Sequence, residues 1–279
     1  MTDRRIVLVT GCSSGIGLAT AAAASRAGWT VIATVRDLDR ADALRAAAPE
    51  ALVRRLDVTD EESITSCFAE FDRLDAVVNN AGISNFDPTL EMSTSAALRA
   101  NLEVNFFGTV AVSRAAMPLL RASGGRLLTI GSVHGVIGQP FNEAYSAAKF
   151  AVEGFMEALA PVAAAHGVQV SLLVPGYVPD TRFGHFPDVN RRTVQAASGP
   201  YAETFGAYVD RLGKSWAGAA QPAAEVADAV VRALAEDRLP FRVTTNAWAA
   251  EYLSAKLADR DGRTVQRLAQ DWIGLTPTP

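Results

Sequence analysis

Cysteine, net positive charge and long apolar runs are scarce or absent in this chain. Its two cysteines, Cys12 and Cys67, are too few for a disulfide framework, so we expect the reducing environment of the cytoplasm. The formal net charge of -4 gives no basic field for a phosphate backbone, so nucleic acid is not an expected partner. No stretch approaches the ~20 apolar residues that a bilayer-spanning helix needs, so no membrane span is expected. These absences leave a small molecule as the expected partner, with no metal site.

Short β-branched runs alternate with alanine-rich stretches along most of the chain. The runs predict strands at 6–10, 31–35, 52–58, 75–79, 126–131 and 168–174. The stretches between them predict helices near 15–27, 38–48, 60–72, 93–122 and 144–165. Apolar strands joined by helical crossovers are typical of a parallel sheet covered on both faces. We therefore expect an α/β fold: a doubly wound (Rossmann) parallel sheet in three α/β/α layers, forming a single domain over 1–279.

The composition changes after Pro175. Proline, glycine and aromatic residues replace the strand and helix rhythm until about Pro222, which predicts a substrate loop or lid over 175–222. We assign 1–174 mainly to cofactor binding and catalysis. We expect 223–279 to form a helix, a strand near 241–245 and further helices.

Three glycines follow the first predicted strand and open the first predicted helix. Without Cβ atoms, Gly11, Gly15 and Gly17 allow a tight turn and a close approach of backbone N–H groups to a pyrophosphate. The context of strand, turn and helix favours a dinucleotide site over an ordinary tight connection. The turn is also lined by Ser13, Ser14 and Ile16.

The residues at the end of the second strand decide which dinucleotide is expected. NAD sites place an acid there for the ribose hydroxyls, whereas NADP sites favour arginine for the 2'-phosphate. This chain has Val35 at the usual position of the acid and Arg36 directly after it, which favours NADP(H). NAD(H) is the alternative, because an alignment shifted by one or two residues would place the carboxylate of Asp37 at the position of the acid.

Tyr145 and Lys149 lie four residues apart in a predicted helix, thirteen and seventeen positions after Ser132. That spacing puts both side chains on one face. We expect the ammonium of Lys149 to stabilise the phenolate and to bring the phenol, whose pKa in water is about 10, into working range. Together with Asn105, these residues form the predicted catalytic set.

The motifs T-G-C-S-S-G-I-G, N-N-A-G, V-N-F-F-G, Y-S-A-A-K and P-G occur in one order along nearly the whole chain. In that order and spacing they resemble the short-chain dehydrogenase/reductase family in its single-domain form. Within the family they look most like 17β-hydroxysteroid and retinol dehydrogenases. The resemblance implies pairing through the long helices, as a homodimer or homotetramer.

The resemblance also implies a role for each matching residue. Ser132 would donate a hydrogen bond to the substrate carbonyl, Tyr145 would carry the proton, and Lys149 would tune that phenol and hold the nicotinamide ribose. Asn105 would hold a water that links Lys149 to solvent. The further cofactor contacts implied by the resemblance are Asp57, Val58, Asn80, Ala81, Gly82, Pro175, Gly176, Val178 and Thr181.

Two departures from the family pattern concern the ligand. Asp180 stands where the family commonly has a threonine against the nicotinamide amide, and Thr181 follows one residue late. Gly206 stands where steroid members carry a histidine, which argues against oestrogen specificity. The substrate contacts predicted are His134, Gln139, Tyr177, Phe183 and Phe205.

The expected function is that of an NADP(H)-dependent oxidoreductase. It would interconvert a secondary alcohol and a ketone on a small hydrophobic molecule. The alternatives are a nucleotide-binding sensor without turnover and an NAD-dependent alcohol dehydrogenase.

Overall fold

The computed structural model describes residues 4–84, 87–181, 188–215, 219–254, 256, 259 and 261–263. Its strands are β1 (Ile6–Val9), β2 (Thr30–Val35), β3 (Leu52–Arg55), β4 (Ala76–Asn79), β5 (Arg126–Ile130), β6 (Gln169–Val174) and β7 (Arg242–Thr244). Its helices are α1 (Gly15–Arg26), α2 (Asp42–Ala47), α3 (Glu61–Phe68), α4 (Ser95–Leu102), α5 (Gly108–Ser123), α6 (Glu143–Ala164), α7 (Asp188–Ala197), α8 (Ala202–Ser215), α9 (Ala223–Ala235) and α10 (Ala247–Ser254).

The strands form one parallel sheet in the order β3-β2-β1-β4-β5-β6-β7. The order reverses between β1 and β4, so the loops after these strands diverge and leave a crevice at the carboxyl edge. This topology confirms the predicted doubly wound parallel sheet. The division into cofactor, lid and C-terminal segments stays a prediction.

Both faces of the sheet are buried, because alternate side chains of each strand point to opposite sides. In β1, Leu8 packs into the core beneath α3, α5 and α6. Its neighbours Val7 and Val9 pack into the opposite core beneath α1 and α9. All three are fully buried, as the uninterrupted apolar runs of the sequence predict for a sheet covered on both faces.

The helix predicted over 93–122 is interrupted in the structure. A π-helical turn, Glu103–Phe107, separates α4 from α5. Asn105 lies in this turn, and its side chain bonds to the backbone of Ile83 on both sides of the amide. Such wide turns are frequent at functional sites, because they carry a side chain that a regular helix would point elsewhere.

The prediction of a loop over 175–222 was wrong in part, since two helices, α7 and α8, occupy much of it. Both helices are strongly amphipathic, and α8 packs its apolar face onto the segment before α6 through Phe205 and Tyr208 against Phe141. Phe183 lies outside the described residues. Among the residues that the structure describes, no helix is long and apolar enough to cross a bilayer.

Candidate active site

The glycine turn between β1 and α1 is packed too tightly for side chains. Gly11 and Gly15 have φ values of +71° and +58°, which L side chains rarely adopt. A Cβ on Gly17 would lie 2.4 Å from both the Gly11 carbonyl oxygen and the Asn80 amide nitrogen. Ser13, Ser14 and Ile16 line the same turn, half-buried.

The N-terminus of α1 fits an anion. Ser14 precedes the helix in an extended conformation and forms no capping hydrogen bond through its side chain. The first turn of α1, all of whose residues are described, contains no acid. Its backbone N–H groups and the positive end of the helix dipole therefore face the turn without a competing side chain, as a phosphate requires.

The segment after β4 is fixed against the glycine turn by Thr10, a residue that sequence reasoning did not select. The Thr10 hydroxyl accepts hydrogen bonds from the backbone N–H groups of Asn80 (2.9 Å) and Ala81 (3.0 Å). The Asn80 amide donates in return to the backbone carbonyls of Thr10 and Gly11. Gly82 follows this segment, half-buried. The only sequence feature that could have pointed to Thr10 is its position directly before Gly11, the first glycine of the turn.

Arg36 and Asp37 have different surroundings at the end of β2. The Asp37 carboxylate accepts a hydrogen bond from the backbone N–H of Asp39 and caps a short 3-10 helix. Arg36 is exposed, and its charge reaches Asp57 after β3. Burial raises the pKa of Asp57, but hydrogen bonds from Thr59 and the charges of Arg36 and Arg55 outweigh it, so the pKa is lowered. Val58 is buried against Gly108 of α5.

Ser132, Tyr145 and Lys149 come together at the carboxyl end of β5. All three side chains are buried. The side chains of Ser132 and Tyr145 are hydrogen-bonded to each other. The Lys149 ammonium lies 5.8 Å from the centre of the Tyr145 ring and donates a hydrogen bond of 2.8 Å to the carbonyl of Ile130, the last residue of β5. Helix α6 thus places both Tyr145 and Lys149 next to the carboxyl end of β5.

The pKa of the phenol differs from the sequence expectation. Burial raises the pKa of Tyr145 to about 12, and the hydrogen bond with Ser132 offsets only part of this effect. Burial also lowers the pKa of Lys149 to about 8. Each group is therefore shifted towards its neutral form, because removal from water penalises charge. The phenol holds its proton at neutral pH in this arrangement.

His134 and Ser146 extend the cluster. The backbone N–H of His134 donates to the Ser132 hydroxyl at 3.1 Å, and its ring meets the Tyr145 ring edge-on at 5.2 Å. Burial and then the charge of Lys149 lower the pKa of His134 to about 4. The Ser146 hydroxyl lies 3.5 Å from Nδ1 of His134. Ser146 was missed because only its position beside Tyr145 distinguishes it in the sequence.

Asn105 is buried, and its side chain holds the segment after β4. Its amide carbonyl accepts from the Ile83 N–H at 3.0 Å, and its amide nitrogen donates to the Ile83 carbonyl at 2.8 Å. This reciprocal pair gives Asn105 a structural function. The relay role implied by the resemblance stays a prediction.

The loop after β6 distinguishes Thr181 from Asp180. Thr181 is buried, and its methyl group faces Gly15, where a Cβ would lie 3.1 Å away. Asp180 is exposed and accepts the backbone N–H of Ala223 at the start of α9. Thr181 therefore lies at the glycine turn, although it follows the family position by one residue. Val178 is buried near Ile16.

The remaining candidates have mainly packing contacts. Pro175 accepts the backbone N–H of Val133, and Gly176 packs against the Trp248 ring. Tyr177 forms an isolated bridge with Ala220. Phe205 is fully buried against Phe141, so packing accounts for it better than ligand contact does.

Comparison with known proteins identifies the class to which this site belongs. The sequence profile described as short chain dehydrogenase matches residues 5–186. Human retinol dehydrogenase 8 is 34% identical over 287 residues, covering 95% of this chain and 90% of the human protein. Rat estradiol 17-beta-dehydrogenase 1 is 43% identical over 190 residues, covering 63% of this chain and 55% of the rat protein.

Two solved structures agree with this assignment. A short-chain dehydrogenase from Streptomyces avermitilis has a TM-score of 0.75 at 30% identity, covering 98% of both chains. A short chain dehydrogenase from Burkholderia cenocepacia J2315, in complex with NADP, has a TM-score of 0.73 at 25% identity, also covering 98% of both chains. The present chain belongs to the short-chain dehydrogenase family and is an oxidoreductase of that family.

Proposed function

We propose that this protein is an NADP(H)-dependent oxidoreductase that interconverts a secondary alcohol and a ketone on a small hydrophobic molecule. The observation that carries the proposal is the buried cluster of Ser132, Tyr145 and Lys149, which lies at the same carboxyl edge of the parallel sheet as the glycine turn. A buried phenol with a raised pKa carries a proton at neutral pH, which suits a proton donor in ketone reduction. A binding protein without turnover has no use for such a group.

Each of the three clustered side chains would have its own role in the reaction. Ser132 orients the substrate carbonyl by donating a hydrogen bond to its oxygen. Tyr145 supplies the proton to that oxygen, or removes it in the reverse direction. Lys149 stabilises the negative charge left on the phenol and holds the cofactor ribose. The nicotinamide, when bound, supplies the hydride chemistry.

The cofactor proposal rests on three features of the nucleotide site. The uncapped N-terminus of α1 suits the pyrophosphate. Arg36 is exposed at the end of β2, whereas Asp37 is engaged as a cap, which favours a 2'-phosphate over a free ribose hydroxyl. The related Burkholderia structure contains NADP. An NAD-dependent alcohol dehydrogenase stays the alternative.

The proposal is tested by measuring NADPH oxidation with steroid, retinoid, aliphatic and quinone carbonyls. We expect turnover of at least one hydrophobic ketone, with the purified protein heated to inactivation as the blank. Tight NADPH binding without oxidation by any compound would instead favour the nucleotide sensor.

Arg36→Ala is expected to remove most of the preference for NADPH over NADH. A charge-assisted hydrogen bond to phosphate contributes ~1.5–3 kcal/mol, so NADPH affinity should fall by ~10 to ~100-fold while NADH affinity changes little. Titration of intrinsic fluorescence measures both dissociation constants. Arg45→Ala, at an exposed arginine paired with Asp42, is the matched control. Equal wild-type affinities for NADPH and NADH would instead indicate that Asp37 binds the ribose hydroxyls and that the cofactor is NAD.

Self-association as a homodimer or homotetramer is part of the same proposal. Phe107 in the π turn and Phe150, Phe155 and Val162 on α6 are exposed apolar side chains on the helices expected to pair. Sedimentation velocity of the purified protein measures its oligomeric state. A monomer would contradict the proposed self-association.

A further inference from the structure

Gln139 lies in the segment that connects Ser132 to Tyr145, at the carboxyl edge of the sheet. Its backbone N–H approaches the Ser146 hydroxyl at 3.4 Å, and Ser146 directly follows Tyr145. The same Ser146 hydroxyl lies 3.5 Å from the ring of His134, which packs on Tyr145. Gln139 is therefore connected to the proton donor through two side chains.

The Gln139 amide is hydrogen-bonded to two helices, α8 and α10. Its oxygen accepts from the Tyr208 hydroxyl of α8 at 3.3 Å, and its nitrogen donates to the Tyr252 hydroxyl of α10 at 3.1 Å. Aromatic rings lie beside these groups: Phe141 contacts Tyr208, and Trp248 stacks on Tyr252 at 4.9 Å. The Asn142 side chain is also hydrogen-bonded to Tyr208. The amide and the hydroxyls form a polar spot beside an aromatic wall.

Two hydrogen-bond donors of this polar spot have no acceptor among the described residues. The Gln139 side chain is only 8% exposed, and its amide has two N–H groups, of which the contacts within the described residues use one. The Tyr252 hydroxyl accepts from that amide, so its own proton points elsewhere, and no described residue accepts it. Gln139 is buried and Tyr252 is half-buried. For the buried Gln139 amide, an N–H group without a partner costs ~1–3 kcal/mol. A group that satisfied both donors would be an acceptor.

We propose that Gln139 and Tyr252 form a specificity subsite that selects ketones carrying a second, hydrogen-bond-accepting oxygen remote from the reacting carbonyl. The inference rests on the proposed function, because it presumes ketone turnover. The hydrophobic body of such a substrate would lie along the aromatic wall. Its second oxygen, in a hydroxyl, ether or carbonyl, would accept from the amide and the phenol.

The test compares two ketones that differ at one position. They are 4-cyclohexylcyclohexanone and 4-(4-hydroxycyclohexyl)cyclohexanone, with NADPH oxidation as the readout. We expect wild-type kcat/KM to be at least ~10-fold higher for the hydroxylated ketone, since a site built to bond a polar group discriminates against the analogue that lacks it. Gln139→Leu should reduce the ratio to about one, and Tyr252→Phe should reduce it in part. The methyl ether, which only accepts, should keep the wild-type preference.

The ratio of kcat/KM for the two ketones distinguishes a Gln139 side chain that contacts the substrate from one that only supports the fold. Gln139 also joins α8 to α10, so its loss is expected to lower both rates, and a merely structural role lowers them equally. Tyr201→Phe, which removes a hydroxyl bonded to Glu91, is the control and should leave the ratio unchanged. Ketone turnover with a wild-type ratio near one, or with a ratio that survives both substitutions, overturns the inference alone. Absence of NADPH oxidation with these ketones and with the wider carbonyl panel overturns the proposed function as well.

Discussion

Tyr145→Phe is expected to lower kcat for ketone reduction by at least ~10² while leaving NADPH affinity within about twofold of wild type. The substitution removes one oxygen from a buried ring and leaves its edge contact with His134. The proton that the phenol holds at neutral pH is then missing. Stopped-flow oxidation of NADPH under single turnover isolates the affected step.

The control for this substitution is Tyr201→Phe, which removes a phenol hydroxyl bonded to Glu91. Its kcat should match wild type. Residual turnover of Tyr145→Phe within tenfold of wild type would show that another group delivers the proton. His134 would be the first to test, because its ring lies beside Tyr145.

Gly17→Ala is expected to weaken NADPH binding by at least ~100-fold, the loss of one or two hydrogen bonds to a charged phosphate. The new Cβ would stand 2.4 Å from the Gly11 carbonyl oxygen, a backbone atom that moves only if the whole turn moves. It would also displace the Asn80 amide, which holds the glycine turn to the segment after β4. Isothermal titration with NADPH measures the change.

Gly154→Ala is the matched control, because Gly154 lies on α6 and a Cβ there meets nothing within 4 Å. An added methyl at a helical glycine should raise the free energy of unfolding by up to ~1 kcal/mol and leave NADPH binding unchanged. Far-UV circular dichroism of both variants reports on folding. A folded Gly17→Ala variant with wild-type affinity for NADPH would show that the close approach at Gly17 is not needed for the cofactor.

Much of the fold was predictable because its signals are local. A run such as Ile6–Val9 is apolar on both faces of a strand, and the glycines after it permit the positive φ values of a tight turn. The grouping of Tyr145 with Lys149 follows likewise from helical periodicity. The α7 and α8 helices escaped prediction because proline, glycine and aromatic residues around them obscured the periodicity.

The sequence by itself determined the alternation of strands and helices from β1 to β6, the position of the glycine turn and the face of α6 that carries the catalytic pair, since each depends on spacing within one element. Only the tertiary structure decided that Thr181 faces Gly15 while Asp180 caps α9. It alone decided that Gln139 bonds to Tyr252, 113 residues away, and that burial raises the pKa of Tyr145. Contacts between distant residues and the loss of water around a charge arise from packing, which residue spacing does not encode.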